Sequence, residues 1–118
     1  DYMTKEVVVA NEQTSVINIA KIMGSQRIGS VIITHEGKPF GIFTERDLLT
    51  NFLARGKALF EEVGPVCSQP LVVIPLGISV HRAAAIMASK HIRRLPVVSD
   101  DKLVGVITAR DLVEAYAK

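Results

Sequence analysis

Residues 41–47 read Gly-Ile-Phe-Thr-Glu-Arg-Asp, and residues 105–111 read Gly-Val-Ile-Thr-Ala-Arg-Asp. The two segments lie 64 positions apart, and a shift of 64 aligns residues 1–54 with residues 65–118 without a gap. In this alignment 15 of the 54 pairs are identical, where unrelated sequences would give about three. The chain is therefore a tandem duplication joined by a connector, residues 55–64.

Each half carries the same hydrophobic pattern. In the first half the β-branched run 7–10 predicts a buried strand, and Ser15 lies where a helix N-cap is expected, ahead of apolar residues at helical spacing. Residues 30–34 and 40–43 predict two strands joined by a hairpin turn, and a last helix begins at Thr44. The second half repeats this order, so the sequence predicts a mixed α+β fold built from two β-α-β-β-α repeats.

One half alone is too small to be expected to fold by itself. A repeat of 54 residues with three strands has a marginal hydrophobic core. We therefore expect the two repeats to pack sheet to sheet about a pseudo-two-fold axis. The connector contains Leu59 and Phe60, which indicate that it packs against the rest of the chain.

The composition restricts the class of protein. The chain has 118 residues, of which 48% are hydrophobic and 22% charged, which is typical of a globular protein. Its single cysteine, Cys67, cannot form an intramolecular disulfide, which favours a reducing compartment such as the cytoplasm. No apolar run approaches the roughly 18 residues of a membrane span, and no signal peptide is visible. A net charge of +2 gives no support for nucleic-acid binding.

The Thr-x-x-Asp core of both segments allows two interpretations. As a structural device, the threonine and the aspartate form a helix capping box and complement the helix dipole. As a binding device, the amino end of a helix suits a phosphate, and an aspartate there can accept two hydrogen bonds from the vicinal hydroxyls of a ribose. Gly41 and Gly105 would let such a ligand approach the backbone. The duplication then predicts two related sites in one cleft.

Both halves resemble the CBS domain, which is named after cystathionine β-synthase, and the whole chain is similar to one tandem CBS pair, or Bateman module. The resemblance rests on the element order, on the two Gly-h-h-Thr-x-x-Asp segments (h, hydrophobic), and on residues 92–98, Ile-Arg-Arg-Leu-Pro-Val-Val. It implies a regulatory, non-catalytic module that senses cellular energy state or S-adenosylmethionine. Its ligand would be AMP, ADP, ATP or S-adenosylmethionine, with no catalytic cofactor.

The resemblance also implies which side chains hold the ligand. Asp47 and Asp111 would bind the ribose hydroxyls, with Thr44 and Thr108 near the ribose or phosphate. The arginines near these motifs would reach toward phosphate; they are Arg46, Arg93, Arg94 and Arg110. The other repeat would supply walls for the adenine: Thr4, Val9 and Ile28 at the Asp111 site, and Ser68, Val73 and Ile92 at the Asp47 site.

The two repeats differ in charge beside the motif. Where the second repeat has Arg93 and Arg94, the first has Gly29 and Ser30. Residues 1–54 carry five basic and six acidic groups, whereas residues 65–118 carry seven basic and four acidic groups. Arginine can pair a phosphate through a bidentate fork, which glycine and serine cannot do. We therefore predict that the Asp111 site, with Arg94, binds a charged nucleotide and that the Asp47 site is weaker or suited to a less charged ligand.

Other chemistry has little support in the sequence. His35, His81 and His91 have no cysteine or carboxylate partners at metal-ligand spacing, so no metal site is predicted. Cys67 aligns with Met3, which favours a packed residue over a nucleophile. Neither a catalytic triad nor a paired carboxylate site is visible, so the chain is not expected to be an enzyme.

Partners are predicted only in outline. CBS pairs resemble one another in forming homodimers, and the motif helices carry enough apolar surface for both the core and such an interface: Leu48, Leu49 and Phe52, with Leu112, Val113 and Tyr116. An effector protein of unknown identity would receive the signal. A scaffold for dimerisation or protein interaction with a vestigial ligand cleft is the main alternative. Nucleic-acid binding, prompted by a calculated pI of 8.9, is a weaker alternative because no aromatic platform accompanies it.

Overall fold

The structure is a computed structural model that describes residues 7–117. It contains six strands and four α-helices in the order predicted from the sequence, β-α-β-β-α twice. The strands are β1 Val9–Asn11, β2 Ser30–His35, β3 Lys38–Thr44, β4 Ile74–Pro75, β5 Arg94–Ser99 and β6 Lys102–Thr108. The helices are α1 Val16–Gln26, α2 Glu45–Leu48, α3 Val80–Lys90 and α4 Ala109–Tyr116. The predicted mixed α+β fold is thus confirmed.

The described chain divides into two units. The first unit is Val8–Leu71, and the second contains residues 72–117 together with Val7. Each unit holds one three-stranded sheet, in the order β1-β2-β3 or β4-β5-β6. The connector belongs to the first unit. The division predicted from the repeat, 1–54, 55–64 and 65–118, stays a prediction, as does the packing of one sheet on the other.

Both sheets combine a parallel and an antiparallel pair. β1 runs parallel to β2, and β4 runs parallel to β5, because a helix crosses back between the paired strands. β2 and β5 then pair antiparallel with β3 and β6 through tight hairpins. The first turn holds Glu36 and Gly37 at φ 50° and 79°, and the second holds Asp100 and Asp101 at φ 52° and 63°. Two consecutive left-handed residues match the right-handed twist of the strands that they join.

Serine caps begin the long helices, as the sequence predicts. The hydroxyl of Ser15 accepts from the Asn18 amide at 3.3 Å, and that of Ser79 accepts from the Arg82 amide at 3.1 Å. Each bond satisfies one of the amides that the first turn of a helix leaves without a partner.

Three element boundaries differ from the prediction. The first strand of each unit was predicted at 7–10 and at 71–74, but pairing begins later, and only Ile74 and Pro75 pair in β4. Pro75 has no amide hydrogen to continue the ladder. α2 has four residues and continues as a π-helical turn, Leu49–Leu53, so the single helix predicted to begin at Thr44 is divided between two hydrogen-bonding patterns.

Each unit has its own hydrophobic core between its helices and its sheet. The first core includes the ring pair Phe43 and Phe52, whose centroids lie 6.1 Å apart, and the fully buried Val63 from the connector. The second is built from aliphatic residues and Met87. Leu59 packs against the first core as expected, but Phe60 is 86% exposed. None of the helices within residues 7–117 has the length and apolar character needed to cross a bilayer.

Candidate ligand-binding site

Both Thr-x-x-Asp segments form complete capping boxes. The Asp47 amide donates to Oγ1 of Thr44 at 3.1 Å, and the Thr44 amide donates to Oδ2 of Asp47 at 2.9 Å. In the second unit the corresponding distances between Thr108 and Asp111 are 3.1 and 2.8 Å. The structural interpretation of the motif is therefore correct in both repeats.

Capping leaves most of each carboxylate free for other partners. An ionised carboxylate has about four acceptor positions, and the box uses one of them on Oδ2. Both aspartates are half-buried and thus reachable from solvent. Since the cap fixes the side chain at the first turn of the helix, the unused lone pairs are held in a defined direction. The capping and binding interpretations are compatible in the same residue.

Strand pairing brings Arg94 beside the capping box of the second unit. Arg94 lies directly across from Thr108 in the β5–β6 register. The Cβ atoms of two residues paired in this way lie about 5 Å apart. The Ala109 amide donates to the carbonyl of Arg93 at 2.7 Å and ties the start of α4 to the start of β5. The predicted residues Arg93, Arg94, Thr108 and Asp111 thus come together at one end of the second sheet.

Arg94 lies on the sheet face that is turned away from the helices. Leu95 and Val97 belong to the core between sheet and helices, and side chains alternate along a strand. Arg94 therefore shares the opposite face with Thr108, and it is half-buried there. In the first unit Ser30 holds the same position across from Thr44. At this position, Ser30 in one unit and Arg94 in the other, the two sheets differ by one guanidinium group.

The remaining predicted arginines lie at the surface. Arg93 and Arg46 are exposed. The side chain of Arg110 is 88% exposed, and its Nε donates to Glu114 at 3.3 Å, one turn along α4. The guanidinium of Arg110 thus has a partner away from the capping box.

Ser68, predicted as a wall for the adenine at the Asp47 site, lies beside the carboxylate itself, a contact that the sequence did not reveal. Its hydroxyl lies 3.5 Å from both carboxylate oxygens of Asp47. It is held there by a bridge to the edge of β3, in which the Ser68 amide donates to Ile42 at 2.9 Å and the Ile42 amide donates back at 3.0 Å. A long-range crossing of this kind cannot be found from local spacing. Its counterpart, Thr4, lies outside the described residues.

The same crossing explains the glycine of the first motif. A Cβ atom added to Gly41 would lie 2.6 Å from Sγ of Cys67 and 2.7 Å from the carbonyl of Ser68. Close approach at Gly41 is therefore made by the chain itself. Cys67 is buried, its thiol lies 3.2 Å from the Gly64 carbonyl, and burial raises the pKa of that thiol. These observations describe a packed cysteine.

The side chains predicted to line the adenine differ in exposure. Val9 is 51% exposed and Val73 is 42% exposed, whereas Ile28 and Ile92 are half-buried. Thr4, the remaining predicted wall of the Asp111 site, falls outside residues 7–117. Val9 and Ile28 belong to the first unit, and Val73 and Ile92 belong to the second. Their role as walls for the adenine stays a prediction.

His35, which has no predicted metal-ligand partner, is paired with the carboxylate of Glu12. Its Nδ1 contacts Oε2 of Glu12, and this hydrogen bond, together with the negative charge of Glu12, raises the pKa of His35. The pair joins the end of β2 to the turn after β1. Within residues 7–117 no three histidine, cysteine, aspartate or glutamate side chains gather into a group that could hold a metal ion.

Comparison with known proteins shows the family. The model of the CBS domain matches twice, over residues 1–54 and 63–118. The chain therefore belongs to the CBS domain family and is a tandem CBS pair.

Relatives and solved structures are similar to this chain over nearly all of its length. An uncharacterized protein of Methanopyrus kandleri is 35% identical over 113 residues, which are 93% of this chain and 58% of the relative. Among solved structures, the CBS domain pair of protein MJ0100, in complex with 5′-methylthioadenosine and S-adenosyl-L-methionine, is 26% identical, with a TM-score of 0.84 over 98% of this chain and 96% of that one. A hexameric CBS-CP12 protein from bloom-forming cyanobacteria is 30% identical, with a TM-score of 0.86 over 95% and 66%.

Proposed function

We propose that this chain is a regulatory module that binds an adenosine-containing ligand through its two capping-box aspartates. The ligand class comprises AMP, ADP, ATP and S-adenosylmethionine. The observation that carries the proposal is the repeated Thr-Asp box, in which a carboxylate fixed by its own helix start keeps free acceptors for two adjacent hydroxyls. The methylthioadenosine and S-adenosylmethionine complex of protein MJ0100 supports the same ligand class.

We propose that the two sites differ in their affinity for charged nucleotides. At the second site Arg94 faces Thr108 across the strand pair and can neutralise a phosphate next to the ribose. At the first site Ser30 holds that position, and the Ser68 hydroxyl already lies near the Asp47 carboxylate. A ligand would have to displace or share this hydroxyl. We therefore expect charged nucleotides to bind first at the Asp111 site.

Signalling would follow from differential binding. A ligand that prefers one arrangement of the module shifts the population toward it, and the shift cannot exceed the difference in binding free energy between arrangements. An effector protein would read that arrangement.

Calorimetric titration with AMP, ATP, S-adenosylmethionine and adenosine tests the proposal. Asn is the informative replacement for each aspartate, because its amide oxygen can still cap the helix while its NH₂ group cannot accept from a ribose hydroxyl. Asp111→Asn is expected to weaken AMP binding by about tenfold to a hundredfold, the equivalent of one charge-assisted hydrogen bond. Asp47→Asn is the matched control and should change the AMP affinity of the stronger site much less.

The outcomes separate the proposal from its alternatives. Equal effects of the two replacements would contradict the inequality of the sites. If no adenosine compound binds or raises the melting temperature of the folded chain, ligand sensing is wrong and the scaffold alternative gains support. Binding of RNA or DNA with a steep salt dependence would instead favour the nucleic-acid alternative.

We also propose that the module assembles with a second copy through its motif helices. A shallow apolar depression of about 470 Å³ lies between α3 and α4. At its rim Val113 is 68% exposed and Tyr116 is 71% exposed. Light scattering should give a dimer for the unmodified chain and a monomer for a Val113→Glu, Tyr116→Glu variant that keeps its circular dichroism spectrum. A wild-type monomer at high concentration would overturn this part.

A further inference from the structure

The chain passes from the first unit into the second between Leu71 and Val72. On the first side Leu71 is fastened to its sheet, since its amide donates to the carbonyl of Phe40 at 3.1 Å. On the second side Ile74 begins β4, pairs with β5 and is 1% exposed. Val72 and Val73 lie between these two anchors. Among the described residues neither of them finds a backbone hydrogen-bond partner.

The first repeat contains the hydrogen bond that is missing at this passage. There the amide of Ile32 donates to the carbonyl of Val8 at 2.9 Å, and this bond extends the ladder between β1 and β2 to the pair of Val9 and Ile32. In the alignment of the repeats Pro96 stands at the position of Ile32, and Val72 at that of Val8. Because proline has no amide hydrogen, the carbonyl of Val72 receives no such bond.

The loss of this donor shortens β4 at its amino end. β1 is paired over three residues and β4 over two, and the pair that is missing would join Val73 to Pro96. Pro96 is fully buried within the second sheet, where a proline interrupts the ladder. Its pairing with Val106 in β6 is kept. The interruption therefore falls on the β4 side alone.

The other passage between the units is fastened at its first residue. The chain enters the first unit between Val7 and Val8, and the carbonyl of Val8 is already bonded to the amide of Ile32. Val9, the next residue, belongs to β1. The first unit thus holds its strand from the point at which the chain enters it, whereas the second unit leaves two residues without backbone pairing.

Side-chain burial does not compensate for the missing backbone bond. Val72 is half-buried against the second core, and Val73 is 42% exposed. Their counterparts Val8 and Val9 are similar, since Val8 is half-buried against the first core and Val9 is 51% exposed. The two passages therefore differ in the backbone and not in apolar contact. Residues at the ends of elements, small or not, commonly absorb the dihedral changes of a hinge.

We propose that Val72 and Val73 form a hinge between the two units, and that Pro96 creates it by withholding a backbone donor. When the module changes its arrangement, the dihedral angles of these two valines change, while Leu71 and Ile74 stay fastened in their own sheets. The hinge is a property of the free chain and does not require an adenosine ligand. Its failure and the failure of ligand sensing are therefore separate results.

Amide hydrogen exchange, followed by NMR on the whole chain without ligand, tests the attachment of β4. Ile74 and Ala10 hold matching positions in the two repeats, and the exchange of each is compared with that of the amides of β6 or β3 in the same unit. We expect the Ile74 amide to exchange about threefold to tenfold faster than the Ala10 amide on this scale, the equivalent of one backbone hydrogen bond. Relaxation dispersion should detect microsecond-to-millisecond exchange at Val72 and Val73.

Exchange of the residues at positions 96 and 32 moves the missing bond between the repeats. Pro96→Val supplies an amide that can donate to the Val72 carbonyl, so it should slow exchange at Ile74 by about threefold to tenfold relative to β6 and reduce the dispersion at Val72. Ile32→Pro should speed exchange at Ala10 by a similar factor. Pro39→Val, at an exposed position of β3, is the matched control and should leave exchange at Ile74 unchanged relative to β6.

Three results would overturn the proposal. The first is equal exchange of the Ile74 and Ala10 amides, each on the scale of its own unit. The second is an absence of microsecond-to-millisecond exchange at Val72 and Val73 in the unmodified chain. The third is a folded Pro96→Val variant in which exchange at Ile74 and dispersion at Val72 are unchanged. If that variant does not fold, the two measurements on the unmodified chain still decide the outcome.

Discussion

The two repeats agree in their hydrogen bonds and differ in how their cores are filled. Both have serine caps, left-handed hairpin turns and complete Thr-Asp boxes with nearly the same distances. The first core, however, holds two phenylalanines and Val63, whereas the second holds aliphatic residues and leaves Tyr116 71% exposed. The sheet ends differ as well, with Ser30 in one repeat and Arg94 in the other.

Capping positions and core positions restrict the amino-acid sequence in different ways. A capping bond satisfies a backbone group at a fixed position, so only a few residue types can make it. A core needs a given volume, which different side chains and different segments can supply. The repeats could therefore diverge in packing and in charge while they kept the same chain path. The four predictions below test this division, from the largest effect to the smallest.

The largest difference between the repeats is expected in the loss of unfolding free energy when Phe52, or its counterpart Tyr116, is replaced by alanine. Phe52 is 1% exposed, so Phe52→Ala should reduce the free energy of unfolding by about 3–5 kcal/mol through the cavity that it leaves. In the monomeric chain, diluted below the concentration at which it dimerises, Tyr116→Ala at a 71% exposed position should change it by no more than about 0.5 kcal/mol. Urea unfolding followed by circular dichroism measures both. Similar losses for the two variants would show that the second core extends to Tyr116.

Exchange of Arg94 and Ser30, the paired residues at the ends of the two sheets, should alter how strongly each site prefers a charged ligand. Arg94→Ser is expected to weaken AMP binding by about 1.5–3 kcal/mol, because a charge-assisted hydrogen bond to phosphate is lost. It should leave adenosine binding nearly unchanged, since adenosine has no phosphate. Ser30→Arg should strengthen AMP binding at the weaker site. Calorimetry measures these affinities, and an equal loss for AMP and adenosine would contradict a phosphate role for Arg94.

The two capping boxes should contribute equally to the free energy of unfolding. Thr44→Ala and Thr108→Ala each remove the acceptor for an aspartate amide bonded at 3.1 Å. We expect each to cost about 1 kcal/mol of unfolding free energy. Thermal and urea unfolding test this, with Thr50→Ala as a control in the first unit. A difference of several-fold between the two variants would show that the surroundings, and not the cap itself, determine the cost.

The smallest effect is expected in the pH dependence of unfolding, and it comes from the pair of His35 and Glu12. The second repeat has Ser99 and Leu76 at these two positions. The pKa of His35 is raised above its ordinary value of 6.5. Its contribution to stability is therefore fully present below pH 6.5 and is lost as the pH rises through the folded-state pKa. His35→Gln should remove this part of the pH dependence of unfolding. An unchanged pH profile would show that the exposed pair contributes nothing measurable.

The local features of the fold were predictable from the sequence. Ser15 and Ser79 as caps, and the helices that follow them, depend on residue types a few positions apart. The box between Thr108 and Asp111 was also recognisable from its spacing. Strand ends were less accurate, because pairing with a distant strand decides where β1 and β4 begin and end.

Other parts of the site depend on long-range contacts that leave no local pattern. The approach of Ser68 to Asp47 and the crowding at Gly41 both result from a chain crossing at the edge of β3. The docking of residues 59–63 on α1 is of the same kind. None of them follows from the spacing of the residues involved, because the partners are brought together only by the fold.

The sequence by itself determined the duplication, the order of elements, the capping motifs and the uneven distribution of charge, because each depends on residue type and spacing along the chain. The tertiary structure decided which residues meet: Arg94 with Thr108, Ser68 with Asp47, and Val63 with the first core. Burial and long-range pairing are properties of the folded chain, so an inventory of residues cannot supply them.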